Sequence, residues 1–379
     1  MFITSKKRVF KKIDAAHVLW FDESNYWAQF EEPVWFIYQK LNSAVETEII
    51  SRRFSKRYSI NIDESKTFVN EVITELEKLS SKTFSHLKTY PSLQFESPKL
   101  FSSTRTYGIN QKVFEIAYQY KSLENIIHHS ISHHELKNKT NPHFRLETFS
   151  SASSYILKIN DTVWEEDDLN QLKLRLFIEI SGLLYNKTNK DWLSFVHGSA
   201  VSNGLESIIL STSCGSGKST MAALLCKQGL QFVSDDFVPI DSRYCKAYPF
   251  PAALSVKDGA YPILLPLYKQ LETAEIFHFK GTNKTVRYLP FPADKNFYKP
   301  LPVRNLVFIQ YNPQKTFSFR KVPTLEAIKR FNEEAWVSYR PEHARKFINW
   351  FPKLNCYELE YSDNEKAIHA IMDLFKKGF

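Results

Sequence analysis

The sequence predicts an α/β protein. Its core is built around a glycine-rich loop and preceded by a β-rich lobe and a small winged-helix-like domain at the N-terminus. Three observations predict this. Residues 211–220, STSCGSGKST, follow a strand-like apolar run, SIIL, and lead into an apolar helical start, MAALL. Residues 99–193 carry several strand-like runs around one strong helical pattern. The first 85 or so residues read as a hairpin followed by three amphipathic helices. The domains are expected at 1–88, 99–194 and 195–379.

Taken in order, 18–21 and 26–30 are aromatic-rich runs separated by Asp22-Glu23-Ser24-Asn25, a hairpin signal. Pro33 opens the first helix, which carries Val34, Ile37, Tyr38 and Leu41. The second spans 46–58, with Ile49, Ile50 and Phe54 inward and Arg52, Arg53, Lys56 and Arg57 outward. Asp63 is the expected cap of the third, whose stripe is Val69, Val72, Ile73, Leu76 and Leu79. Residues 80–98, rich in Ser, Lys, Thr and Pro, read as a linker. Strands are expected at 113–120, 144–149 and 155–159, and a helix at 167–184.

The chain has 379 residues, 43% of them hydrophobic and 24% charged, the balance of a folded globular protein. Its net charge of +9 leaves two readings open: attraction to an anionic partner, or a solubilising surface. Cys214, Cys226, Cys245 and Cys356 form no CxxC pair. Reduced thiols and a cytoplasmic location are expected. The basic stretch 1–12 lacks the apolar segment of a signal peptide, and no run of about 18 apolar residues predicts a membrane span.

The loop carries the chemistry. Small residues let backbone N–H groups close around phosphate oxygens, and the helix start adds its positive end. Ser213, Cys214, Gly215, Ser216, Gly217, Lys218, Ser219 and Thr220 are the expected nucleotide-binding residues. Lys218 bridges the β- and γ-phosphates of ATP or another nucleoside triphosphate, and Ser219 ligates Mg²⁺. The usual pattern has glycine where Thr212 stands. Two conformations are open to Thr212: φ > 0, which strains a threonine, or an ordinary one, with the turn made at Gly215 and Gly217.

Asp235 and Asp236 follow the strand-like 230–234, placing two carboxylates at a strand's C-terminal end, where open α/β sheets bind ligands. One carboxylate is expected to hold Mg²⁺ and the other to take the acceptor's proton; position favours Asp235, first after the strand, for the ion and Asp236 for the proton, and the reverse assignment stays open. His197, in VHGSAV, is by itself an ordinary structural histidine.

Together VHGSAV, STSCGSGKST and GLQFVSDDFVPI resemble the HPr kinase/phosphorylase family and its smaller relatives. That core is similar to phosphoenolpyruvate carboxykinase. The resemblance implies a kinase whose active site holds His197, Lys218, Ser219, Asp235 and Asp236. Downstream, 250–258 resembles a segment of the kinase relatives in which a lysine, here Lys257, neutralises transferring phosphate. Lys257 reads equally well as a surface residue, and Arg287 and Arg304 are weaker candidates of the same sort. The Glu-x-Arg-Gly signature of the bifunctional enzymes is missing from the sequence, so phosphorylase activity is not expected.

The N-terminal pattern resembles the PqqD-like peptide-recognition domains through Phe21-Asp22, Trp35, Ile49, Phe54, Tyr58 and 69–79. That likeness implies a partner: the leader of a ribosomally made precursor peptide, bound as an added strand. An ordinary winged-helix module is the other reading, with nucleic acid the less expected partner. A homo-oligomer stays open. So do two other functions beside that of a peptide kinase: a kinase of a small hydroxyl metabolite with a regulatory N-terminal module, and a non-catalytic nucleotide-gated binding protein. His128, His129, His133 and His134 in HHSISHHE read as a polar helix end rather than a zinc site.

Overall fold

In the computed structural model the described residues are 9–81, 95–138, 140–151, 153–212, 215–278, 285–293 and 297–376. The protein is mixed α/β and divides into two compact units. The first comprises the described residues of Met1–Ser85 with Pro323–Glu333 and Val337–Lys353. The second holds the rest, so 99–194 share one unit with the loop and aspartates. This division differs from the expected 1–88, 99–194 and 195–379. Two late helices, Thr324–Glu334 and Pro341–Trp350, group with the N-terminal residues.

In the first unit the hairpin Ala16–Phe21 and Tyr26–Phe30 agrees with the expectation. A third strand, Val9–Ile13, joins it from a basic stretch with no strand signal. The helices are Glu32–Asn42, Thr47–Tyr58 and Ile62–Ser81. Two details differ. Ile49 is exposed, because Ile50 and Phe54 already fill the inward stripe at four-residue spacing. Asn61, not Asp63, is the capping side chain: its Oδ1 accepts from the Asp63 N–H at 2.7 Å. Trp27 packs on Phe347, and Gln29 Nε2 donates to the Leu325 carbonyl at 2.6 Å. These contacts draw the two late helices onto the hairpin. Most of the linker 80–98 lies outside the described residues.

The second unit holds a five-stranded sheet (Ser103–Ile109, Lys112–Tyr118, Phe144–Ser151, Ser154–Ile159, Thr162–Glu166), covered by Lys121–Ile131 and Leu169–Tyr185. Asp168 caps the latter helix, accepting from the N–H groups of Asn170 and Gln171. A ten-stranded sheet carries the loop. Strand Gly198–Ser202 runs antiparallel to both Ser207–Ser211 and Gln231–Ser234. Those two strands therefore end at one sheet edge, where Gly198–Ser202 begins. Residues just before 198, just after 211 and just after 234 meet there. On its other side Ser207–Ser211 pairs in parallel with Leu301–Tyr311, which pairs in parallel with Asn355–Tyr361.

Candidate active site

The glycine-rich loop leaves a strand buried along its whole length and enters the helix Lys218–Lys227. Gly215 and Gly217 have φ of 86° and 97°, the left-handed region in which glycine is unstrained. Their surroundings differ. A Cβ on Gly217 would stand 2.9 Å from the Tyr361 hydroxyl, whereas one on Gly215 would meet nothing within 4 Å. The loop is thus backed by Tyr361 and Tyr311 and open at Gly215. The Tyr311 N–H donates to the Ser216 carbonyl at 2.9 Å, fixing that backing. The Ser216 hydroxyl is buried and has no hydrogen-bond partner among the described residues. Gly217 caps the helix without a side-chain bond, and a helix start of this kind presents its positive end to the loop.

Of the two conformations open to it, Thr212 takes the strained one. Its φ is 151°, outside the ordinary conformations, so the position keeps the geometry that favours glycine. Its carbonyl accepts from Lys218 Nζ at 2.5 Å, which holds the lysine back over the loop. Lys218 is only 6% exposed. Ser213 and Cys214 lie outside the described residues. Thr220 sits in the first turn of the helix, half-buried.

Asp235 is 2% exposed and fully engaged. Its Oδ1 accepts from the hydroxyls of Ser199 (2.5 Å) and Ser219 (2.9 Å). Its Oδ2 accepts from the N–H (3.1 Å) and hydroxyl (3.3 Å) of Ser255. Such donors favour a carboxylate, yet burial and the neighbouring Asp236 outweigh them and push Asp235 up to about 6. Buried negative charge next to a second carboxylate, and with a loop hydroxyl in contact, suits a hard cation. Hydroxyl and carboxylate oxygens are the donor types Mg²⁺ takes, with phosphate oxygens completing its shell.

Asp236 is different. It has φ 63°, an arrangement aspartate tolerates, and its side chain is 35% exposed. His197 Nδ1 lies 3.2 Å from the Asp236 carbonyl. A carbonyl only accepts, so Nδ1 carries the proton and holds the left-handed turn. The His197 N–H donates to the Glu334 carbonyl at 2.8 Å. Gly198 follows because the strands crowd here: a Cβ would stand 2.5 Å from the Leu210 carbonyl oxygen. The histidine-glycine pair is thereby explained piece by piece, glycine for close approach and histidine for the turn.

Three contributors were missed in the sequence. Ser199 and Ser255 hold Asp235, and Lys173, on the helix Leu169–Tyr185, has Nζ 3.9 Å from Asp236 Oδ2. Ser199 lies two residues past His197, within legible reach; Lys173 carries no local signal at all. Lys257 is exposed on the strand Leu254–Lys257, on the same face as Ser255. Arg287 is not brought to the aspartates. It lies on the opposite face, its guanidinium 3.9 Å over the Tyr261 ring. Arg304 pairs with Glu206 at 3.4 Å, at the end of the sheet away from the loop.

The four histidines are not a uniformly polar helix end. His128 is buried and bonded to the Tyr107 hydroxyl at 2.8 Å, and His134 Nε2 reaches the Pro251 carbonyl at 3.0 Å. Among the described residues no group of three or more His, Cys, Asp or Glu is placed to hold a metal. No described helix is long and apolar enough to cross a membrane. Set against the models of known protein families and against curated proteins, the chain matches none.

Proposed function

We propose that this chain is an ATP-dependent kinase that phosphorylates a serine or threonine hydroxyl of a ribosomally made precursor peptide, held through its leader by the N-terminal residues. The observation that carries the reading is the 2.9 Å contact between the Ser219 hydroxyl and Asp235, which joins the phosphate loop to the aspartate pair. That is the juxtaposition a Mg²⁺-nucleotide site requires. Ser219 and Asp235 are the residues that would hold the ion, and when bound it neutralises charge on the phosphates.

The chain's own residues divide the remaining work. The loop N–H groups and Lys218 bind and orient the phosphates. Asp236, exposed where Asp235 is not, accepts the proton of the acceptor hydroxyl. His197 and Lys173 hold Asp236 in place, one through its carbonyl and one beside its carboxylate. Leader capture raises the acceptor's effective concentration at the site. The leader assignment rests on the likeness of the N-terminal pattern to peptide-recognition domains.

The test is to incubate the protein with ATP–Mg²⁺ and a precursor peptide encoded beside it, then weigh the peptide. Gain of one phosphate mass, dependent on the leader, is the expected result. No gain with the leader present would sink the reading.

A further inference from the structure

One surface beside the aspartates has no role in the account above. The strands Leu254–Lys257, Thr285–Leu289 and Phe277–His278 form a small antiparallel sheet. Ser255 stands opposite Tyr288, Lys257 opposite Val286, and Val286 opposite Phe277. Side chains alternate along strands, so Ser255, Tyr288 and Phe277 share one face. Leu254, Val256 and Leu289 occupy the other face and are buried in the core. Ser255 gives both its N–H and its hydroxyl to Asp235, so the shared face is the one turned to the aspartates.

That face is aromatic. The Tyr288 and Phe277 rings are 5.6 Å apart. His129, from the helix Lys121–Ile131, lies 3.6 Å from the Phe277 ring and 6.4 Å from that of Tyr288. All three side chains are half-buried, so each ring keeps some surface to be covered. Burial, then the charges of Asp236 and Asp235, push the Tyr288 phenol up to about 12, which places it within the field of both carboxylates. Burial holds the His129 imidazole down to about 4, so it is neutral near pH 7. The three rings are therefore uncharged at working pH, and the charge on this face is that of Lys257, exposed at the end of the strand.

We propose that Tyr288 and Phe277, backed by His129, form the wall that selects the phosphoryl acceptor, favouring a hydroxyl flanked by an aromatic or branched aliphatic side chain. The inference rests on the kinase reading of the same site. A bulky apolar neighbour covers the two rings while the hydroxyl reaches Asp236. A glycine neighbour leaves them wet.

The test uses two synthetic peptides at millimolar concentration, each with a single serine, flanked in one by phenylalanine and in the other by glycine. Initial rates of label transfer from ATP–Mg²⁺ give a ratio, which cancels any loss of folded protein. The expected preference is roughly 10-fold or more for the phenylalanine peptide, the discrimination an apolar contact supplies. Tyr288→Ser and Phe277→Ser should each bring the ratio toward one, and Tyr288→Phe, which keeps the ring, should retain it. A wild-type ratio near one overturns the proposal. So does a ratio unmoved by both serine substitutions, or transfer to neither peptide by a protein that still binds and turns over ATP–Mg²⁺. Failure to bind ATP–Mg²⁺ overturns the kinase reading itself, and the wall with it.

Discussion

The two units bury different things. Among the described residues, the first unit buries no Asp, Glu, Lys or Arg side chain; its interior is aromatic and aliphatic around Trp35, Phe36, Phe54 and Val69. The second buries Lys218 and Asp235 within one loop-and-turn neighbourhood, and elsewhere Glu124, Glu166, Arg175 and Asp241. Burying a charge is costly unless it is paired or has a task. Arg175 and Glu166 are paired with each other at 2.8 Å. Asp235 has hydroxyl and N–H donors but sits beside a second carboxylate, which only makes its charge harder to hold. The second unit thus bears an electrostatic cost at the sheet edge that a cation and phosphates would relieve. The buried titratable side chains of the first unit, among its described residues, are the histidines His17 and His343.

The largest effect that tests this contrast is on phosphoryl transfer. Lys218→Ala and Asp236→Asn should each lower the rate by about 10²–10³-fold or more, measured as phosphate incorporated into the precursor. Transfer left untouched by Asp236→Asn would remove the base from Asp236. In the first unit the largest effect should be on stability alone. Phe54, 3% exposed and in ring contact with Tyr58 at 4.5 Å, should cost about 3–5 kcal/mol on truncation to alanine, read from urea unfolding.

These effects follow from parts of the molecule that were unequally legible. The loop, the aspartates and His197 could be found because each motif is contiguous and its geometry is made by its own residues. The way they meet could not, since it depends on an antiparallel middle strand bringing three separate ends to one edge. Lys173 and the Tyr288 wall arrive from other sheets and helices and leave no mark near the motifs. Arg287 was misplaced because strand alternation, invisible without the register, turns it to the core face. The late helices Thr324–Glu334 and Pro341–Trp350 group with the N-terminal residues without a change in composition to announce it.

Two further predictions probe the strained edge. Thr212 at φ 151° stores strain of about 1–3 kcal/mol, while glycine adds chain entropy of about 0.5–1 kcal/mol on unfolding. The difference favours Thr212→Gly by about 1 kcal/mol, detectable as a higher urea midpoint. Thr212→Ala should give no gain, because alanine has the same Cβ. If both substitutions behave alike, the loop is not strained there. The second concerns pH in the metal-free protein. Asp235 has its folded value raised above the ordinary carboxylate value of 3.8, so its contribution is fully present below about pH 4 and is lost as pH rises through about 6. Between those values Asp235→Asn, which cannot ionise, should flatten the decline in stability. An unchanged slope would mean that the carboxylate is not held neutral by its surroundings.

The smallest effect belongs to the basic face of the helix Thr47–Tyr58. Arg52 pairs with Glu48 at 3.4 Å and Arg57 with Glu32 at 3.3 Å, all four side chains being well exposed, and Lys66 shares Glu48 at 3.6 Å. Exposed pairs of this kind contribute little, since solvent screens them and long side chains lose freedom in forming them. Arg52→Ala should therefore change unfolding stability by less than about 0.5 kcal/mol. Its use lies in the contrast with Asp235, where charge is buried. The same helix is also where a nucleic-acid partner would bind, through the cations Arg53 and Lys56. If duplex DNA bound with a steep salt dependence that Arg53→Ala and Lys56→Ala reduced, the first unit would be a nucleic-acid module and not a peptide-binding one. Partial neutralisation of this face by Glu48 and Glu32 argues for the opposite outcome, weak retention lost by physiological salt in wild type and variants alike.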